Sequence, residues 1–263
     1  MSWKKRIIIF FVIGILSIGI ITYHSQSAQI SQPKSEKEKV FTYQATKLGI
    51  PILKATIKII EGWSLEKGKP LIKVQVIFQS NPSLELLFRM NNHFTSTLEA
   101  GTYTPVTNVK EIDQGGLLIK KKNYLQTLTF DLLRQKVMVE SREKNERQEI
   151  PLPPGTYDPL SVFARFFLTE EFLPGQDIQM SIFDGVRLRQ IVFHSNKEKV
   201  KSKMYGEVAA VRLDSKTFFS TFGDQEGGIS IWYTTDGRKT PILIETDLPV
   251  GMIRFELESI DGN

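Results

Sequence analysis

The chain has 263 residues, no cysteine and a formal net charge of +5. Without thiols it carries no disulfide framework, no zinc–thiolate site, no cysteine nucleophile and no lipid-modified cysteine of the bacterial lipoprotein kind. Three of the charges are Lys4, Lys5 and Arg6, which leaves +2 for everything after them, an ordinary surface and not a nucleic-acid footprint.

Those three bases precede the uncharged run IIIFFVIGILSIGIITY, Ile7 to Tyr23. A basic start followed by such a run is read by the secretory machinery. Ser25 and Ser27 suit a cut before Ala28, so residues 1–28 are expected to be a signal peptide. The run is also near the lower limit of a spanning helix, and an uncleaved signal anchor is the alternative. Membrane contact would then come through this segment, with Lys4, Lys5 and Arg6 on the cytoplasmic side. Both readings export the rest of the chain. Residues 29–39, QISQPKSEKEK, read as a flexible polar linker. Residues 40–263 are expected to form a single antiparallel β domain.

Alternation with period two runs through that domain. In PILKATIKII, Leu53, Ala55, Ile57 and Ile59 share one phase, with Lys54, Thr56 and Lys58 in the other. In LIKVQVIF the apolar phase is Ile72, Val74, Val76 and Phe78. These are strands with one face on a core and one in water, the pattern of an antiparallel sheet. A weak helix is expected from Asn81-Pro82, carrying Leu84, Leu87 and Phe88. A stronger one lies in YDPLSVFARFFL: Asp158 caps, Pro159 takes the first helical position, and Leu160, Phe163 and Phe167 follow at helical spacing. Asp184-Gly185 and Asp236-Gly237 each separate two strand-like runs and read as hairpin turns. Ile253, Phe255 and Leu257 close the chain with another alternating strand.

Taken in order, FTYQATKLGIPILKATIKI, FTSTLEAGTYTPV, YLQTLTFD, PPGTYDPLSVFARFF and IWYTTDGRKTPILIE with GMIRFEL resemble the motifs of a bacterial exported family, domain of unknown function 3108. The resemblance spans Phe41 to Leu257. It implies a mainly antiparallel β structure in the bacterial envelope, in the periplasm or anchored in the inner membrane with the domain on the periplasmic side, and brings no catalytic residues. A looser likeness of shape links the chain to the half-barrels of periplasmic lipoprotein carriers. The expected fold is therefore mainly β: a single large curved antiparallel sheet, half-barrel or open barrel, with about two short helices, one packed on its inner face.

Catalytic motifs are missing. His93, after the weak helix, and His194, at a strand end, lack the paired spacing of metal ligands. Ser161 is explained by helix capping, and no Gly-x-Ser-x-Gly occurs. GDQEGG, Gly223 to Gly228, has no Lys-Ser/Thr after it and reads as a loop. Glu170 and Glu171 are adjacent and point apart. Neither a metal nor another cofactor is expected. The informative charge is Arg165, set in an apolar helix, which must reach water or meet an acid such as Asp158. A clamp from helix to sheet is its first reading and an anionic head group its second. Trp232 is expected on the core. The candidate ligand-binding residues are Arg165, Asp158, Trp232, Phe163 and Phe167.

The leading functional reading is a non-enzymatic envelope protein that holds a lipid or other amphiphile, or a partner protein, on its curved sheet. A hydrolase of cell-envelope polymers would instead need carboxylates converging in an open cleft. A structural or assembly factor would show a filled interior and an exposed apolar patch.

Overall fold

In the computed structural model the described residues are 37–66, 69–118, 121–169, 171, 173–219, 225–249 and 251–262. The expected export segment, residues 1–28, lies outside them, as does most of the expected linker. The strands of the first half are β1 (Lys37–Lys47), β2 (Ile50–Glu66), β3 (Lys69–Ser80), β4 (Arg89–Glu99), β5 (Pro105–Gly115), β6 (Lys122–Asp131), β7 (Lys136–Ser141) and β8 (Glu146–Pro151). Those of the second are β9 (Thr156–Tyr157), β10 (Asp177–Phe183), β11 (Leu188–Ser202), β12 (Gly206–Phe219), β13 (Gln225–Thr234), β14 (Pro241–Leu248) and β15 (Gly251–Gly262). One α-helix, α1 (Pro159–Leu168), joins β9 to β10.

All fifteen strands form one sheet, in the order β8-β7-β6-β5-β4-β3-β2-β1-β15-β14-β13-β12-β11-β10-β9. Every pair is antiparallel except β9 with β10. The sheet is open and curved, as the alternation led one to expect. Its two edges, β8 and β9, are neighbours in the chain, joined only by residues 152–155. The edges are thus tethered without sharing a ladder. At the centre, β1 pairs with β15, with Phe41 opposite Ile260 and Ala45 opposite Phe255.

The apolar phase of these strands is the buried one. Leu53, Ala55, Ile57, Ile59, Ile72, Val74, Val76, Tyr43 and Leu257 belong to a single core cluster on the inner face. The opposite face carries polar pairs, including Arg254 with Glu245 at 2.7 Å and Arg212 with Asp214 at 2.6 Å. Helix α1 lies on the inner face. Its Phe167 meets Phe41 edge-on at 5.2 Å between centroids, and Phe166 meets Phe193 at 4.9 Å. Each such ring removed from water contributes about 1.5–3 kcal/mol.

Several boundaries differ from the sequence reading. The expected Asn81 helix is a single 3₁₀ turn, Pro82–Leu84, so among the described residues one α-helix stands where about two were expected. Asn81 does cap it, but none of its residues is buried and Leu86 is 77% exposed, so no apolar face holds a longer helix in place. His93 consequently sits within β4, where its Nε2 lies 3.1 Å from Asn91 Oδ1. His194 is not a strand end: β11 runs on past it to Ser202 because β12 supplies a ladder partner as far as Gly206. Glu226, Gly227 and Gly228 are strand for the same reason, paired with Phe218, Thr217 and Lys216 of β12. β1 starts at Lys37, inside the expected linker, since Lys37 to Lys39 pair with Glu61 to Ile59.

Both Asp-Gly hairpins form, by different means. At Asp184-Gly185 the glycine has φ +85°. At Asp236-Gly237 the positive φ falls on Lys239 instead, at +47°. There the Asp236 carboxylate takes over, accepting from Thr234 Oγ1 at 2.5 Å and from Arg238 Nε at 2.9 Å. These hydrogen bonds hold its pKa below the usual aspartate value.

Candidate functional site

Helix α1 fills only part of the concave side. Beside it lies a cavity of about 1110 Å³, at or just above the roughly 300–1,000 Å³ of ordinary ligand pockets. Its deep wall is apolar, with Ile57, Val76, Ile231, Ile244 and Phe255 from the sheet and Phe163 and Phe166 from the helix. The mouth is lined by the β7–β8 hairpin at Glu143, Lys144 and Glu146 and by the β10–β11 turn at Asp184, Gly185 and Val186. Strand alternation places branched side chains along the wall, and among the described residues no second α-helix covers them.

The helix is fixed at its start by a buried polar cluster. Asp158 has no exposed surface, and its Oδ1 accepts from Leu160 N at 2.9 Å, Ser96 Oγ at 2.7 Å and Asn108 Nδ2 at 3.0 Å. Ser161 completes a capping box, accepting from Asp158 N at 2.9 Å. Asp158 Oδ2 and Asn108 Oδ1 are buried without a hydrogen-bond partner among the described residues. Burial pushes the carboxyl above the usual aspartate range, against the pull of the Ser96 and backbone hydrogen bonds.

At the mouth, the β10–β11 turn touches the inner side of β5 and β6. Lys110 Nζ donates to the Asp184 carbonyl oxygen, and Gln126 Nε2 donates to the Gly185 carbonyl oxygen at 3.2 Å. The φ of +85° at Gly185 is what favours glycine there; a methyl group would also lie 2.6 Å from Gln126 Oε1 and 2.9 Å from Lys110 Nζ, the movable ends of two long side chains. Behind the turn Phe183 packs with Leu128, Phe130, Val137 and Leu152 in a second, smaller core. Desolvation holds the Lys110 ammonium below the usual lysine pKa, although Asp184 and Asp158 pull the other way.

Of the residues singled out in the sequence, Phe163 lines the cavity, while Arg165, Asp158, Phe167 and Trp232 do not. Arg165 Nη1 donates to Tyr157 Oη at 2.5 Å with its guanidinium 5.2 Å from that ring, which ties helix to β9. Phe167 is core, against Phe41. Trp232 belongs to the main core cluster, as expected; it pairs in register with Arg212 and Leu243, and its Nε1 donates to Glu198 Oε1 at 2.5 Å. Arg212 lies 5.8 Å from its ring. The acids at the mouth are engaged: Glu143 Oε1 accepts from Leu125 N at 2.5 Å, and Asp184 Oδ1 accepts from Val186 N and Arg187 N at 2.8 and 2.7 Å. His194 pairs with Asp177 at 2.6 Å on the exposed face. Among the described residues no three metal-binding side chains converge, and no helix is long and apolar enough to cross a membrane.

Lys110, Asn108 and Ser96 escaped the sequence reading, yet a signal existed. Asn108 and Lys110 stand in phase with Ile112, and Ser96 with Phe94 and Leu98, so polar groups occupy the buried phase of β4 and β5.

The family model described as "Protein of unknown function (DUF3108)" matches residues 41–258. No curated protein matches the chain. Among solved structures, a chain titled as a beta-barrel-like protein of domain of unknown function DUF1849 from Brucella abortus is similar in fold. It has a TM-score of 0.53 and 11% identity, covering 86% of this chain and 98% of that one. At that identity the likeness concerns the fold alone.

Proposed function

This chain belongs to the DUF3108 family, and we propose that it is a non-enzymatic carrier or receptor that holds an amphiphilic molecule in the cavity beside α1. One observation carries the reading: a space of about 1110 Å³ with a branched aliphatic and aromatic wall and a charged mouth. A wall of this kind offers water almost no hydrogen bonds, so displacing poorly held water by an apolar chain is favourable. A mixed-charge mouth keeps the polar end of such a ligand in solvent. The site of action is the cell envelope, on the periplasmic side, which the basic apolar start of the chain supports. If residues 1–28 are retained, they hold the domain at the membrane from which amphiphiles come.

The test is uptake of Nile red, a neutral apolar dye, together with native mass spectrometry after lipid extraction. Wild-type protein should enhance the dye's fluorescence with saturable, one-site behaviour. Ile244→Phe, which fills the wall, should reduce uptake at least fivefold, roughly the effect of one to two lost methylene contacts. No saturable uptake by folded wild type would remove the reading.

A further inference from the structure

Resting on that reading of the cavity, we infer that its ligand is an anion, a long apolar chain ending in a single carboxylate or phosphate that Lys110 receives. Lys110 is a cavity-lining residue on β5, and its alkyl stem lies against the inner face. Its ammonium has three donors. Among the described residues its one hydrogen-bond acceptor is the Asp184 carbonyl, a neutral group. The acids that influence it, Asp184 and Asp158, act on it only through space.

Among the described residues neither acid's carboxylate makes a hydrogen bond or ion pair with the ammonium. Asp158 spends Oδ1 on the start of α1 and on Ser96 and Asn108. Asp184 spends Oδ1 on the backbone of its turn. A cation drawn into an apolar wall and held by a carbonyl is costly unless an anion completes it. Desolvation already disfavours its charge, which an incoming anion would restore. The cavity lining adds Lys121, Lys122, Lys144 and Arg189 against Glu143, Glu146 and Asp184, a basic excess that favours approach of an anion. Asp158 occupies the helix N-terminus, so that end of α1 offers no competing anion site.

The experiment measures binding of palmitate, lysophosphatidate and the uncharged hexadecanol to full-length wild type, Lys110→Met and Lys110→Gln. The two variants should lose at least about tenfold in affinity for palmitate, lysophosphatidate or both, the scale of one charge-assisted hydrogen bond. Hexadecanol and Nile red should change by less than about twofold, which shows that the cavity and its mouth are intact. Loss for palmitate alone assigns a carboxylate, and loss for lysophosphatidate alone a phosphate; loss for both assigns either head group. Unchanged binding of both anions by folded variants, or equal loss of hexadecanol, overturns the inference. Wild type that takes up hexadecanol and Nile red but binds neither anion more tightly sinks this inference and leaves the cavity reading standing. Wild type that binds none of the four removes both.

Discussion

The two sides of helix α1 make different use of the same sheet. On one, Phe41 and Phe167 meet edge to face at 5.2 Å and the space is filled. On the other, Ile57, Val76, Ile231 and Ile244 stand at equivalent positions of their strands and meet a void. The strands do not differ; what differs is whether something covers them. Stability is therefore expected to concentrate on the filled side and ligand capacity on the hollow one.

Truncation is the most severe probe of that division. Phe167→Ala should lower unfolding free energy by about 3–5 kcal/mol in urea titration, because it opens a new cavity in a packed cluster against Phe41. Ile244→Ala, on a wall that already faces space, should cost about 1–2 kcal/mol, with little cavity term to add. Equal losses at the two positions would mean that the hollow side is packed after all. Gly185→Ala comes next, at about 1–3 kcal/mol, since it forces a side chain onto φ +85° and against Lys110 and Gln126. Its loss should be accompanied by faster exchange of the amides of the β10–β11 turn.

The mildest effect tests the cluster that fixes the helix between the two sides. Asp158 holds its proton more tightly in the folded protein than in the unfolded chain. Its contribution is full below the ordinary aspartate value of 3.8 and is lost as pH rises through the elevated folded value. Stability of wild type should thus fall with rising pH in that window, by at most about 1.4 kcal/mol per pH unit for one proton. Asp158→Asn still caps the helix and should flatten the slope, as thermal melts across acidic pH would reveal.

The helix itself was readable in advance. Asp158, Pro159 and the spacing of Leu160, Phe163 and Phe167 each encode a local event, a cap, a start and a face, so α1 emerged with its limits nearly right. The alternation likewise announced an antiparallel sheet. The hollow side left no such trace, because an isoleucine in the buried phase reads the same whether a helix or nothing lies over it. Arg165 drew attention as an isolated charge and proved to be the tie to Tyr157. Lys110 passed unnoticed because its role depends on the turn at Asp184, brought to it by the curl of the sheet and not by any local pattern.

The strand order has a consequence for how the chain finds its shape. Sequence-adjacent strands neighbour one another everywhere except at β8 and β9 in mid-chain, and the sheet is joined instead where β1 meets β15. A circular permutant opened at residues 152–155 and rejoined between Gly262 and Lys37 would lay its strands in unbroken succession from β9 to β8. Its contact order would drop, and it should refold faster than the natural sequence, whose first strand must wait for the last to arrive.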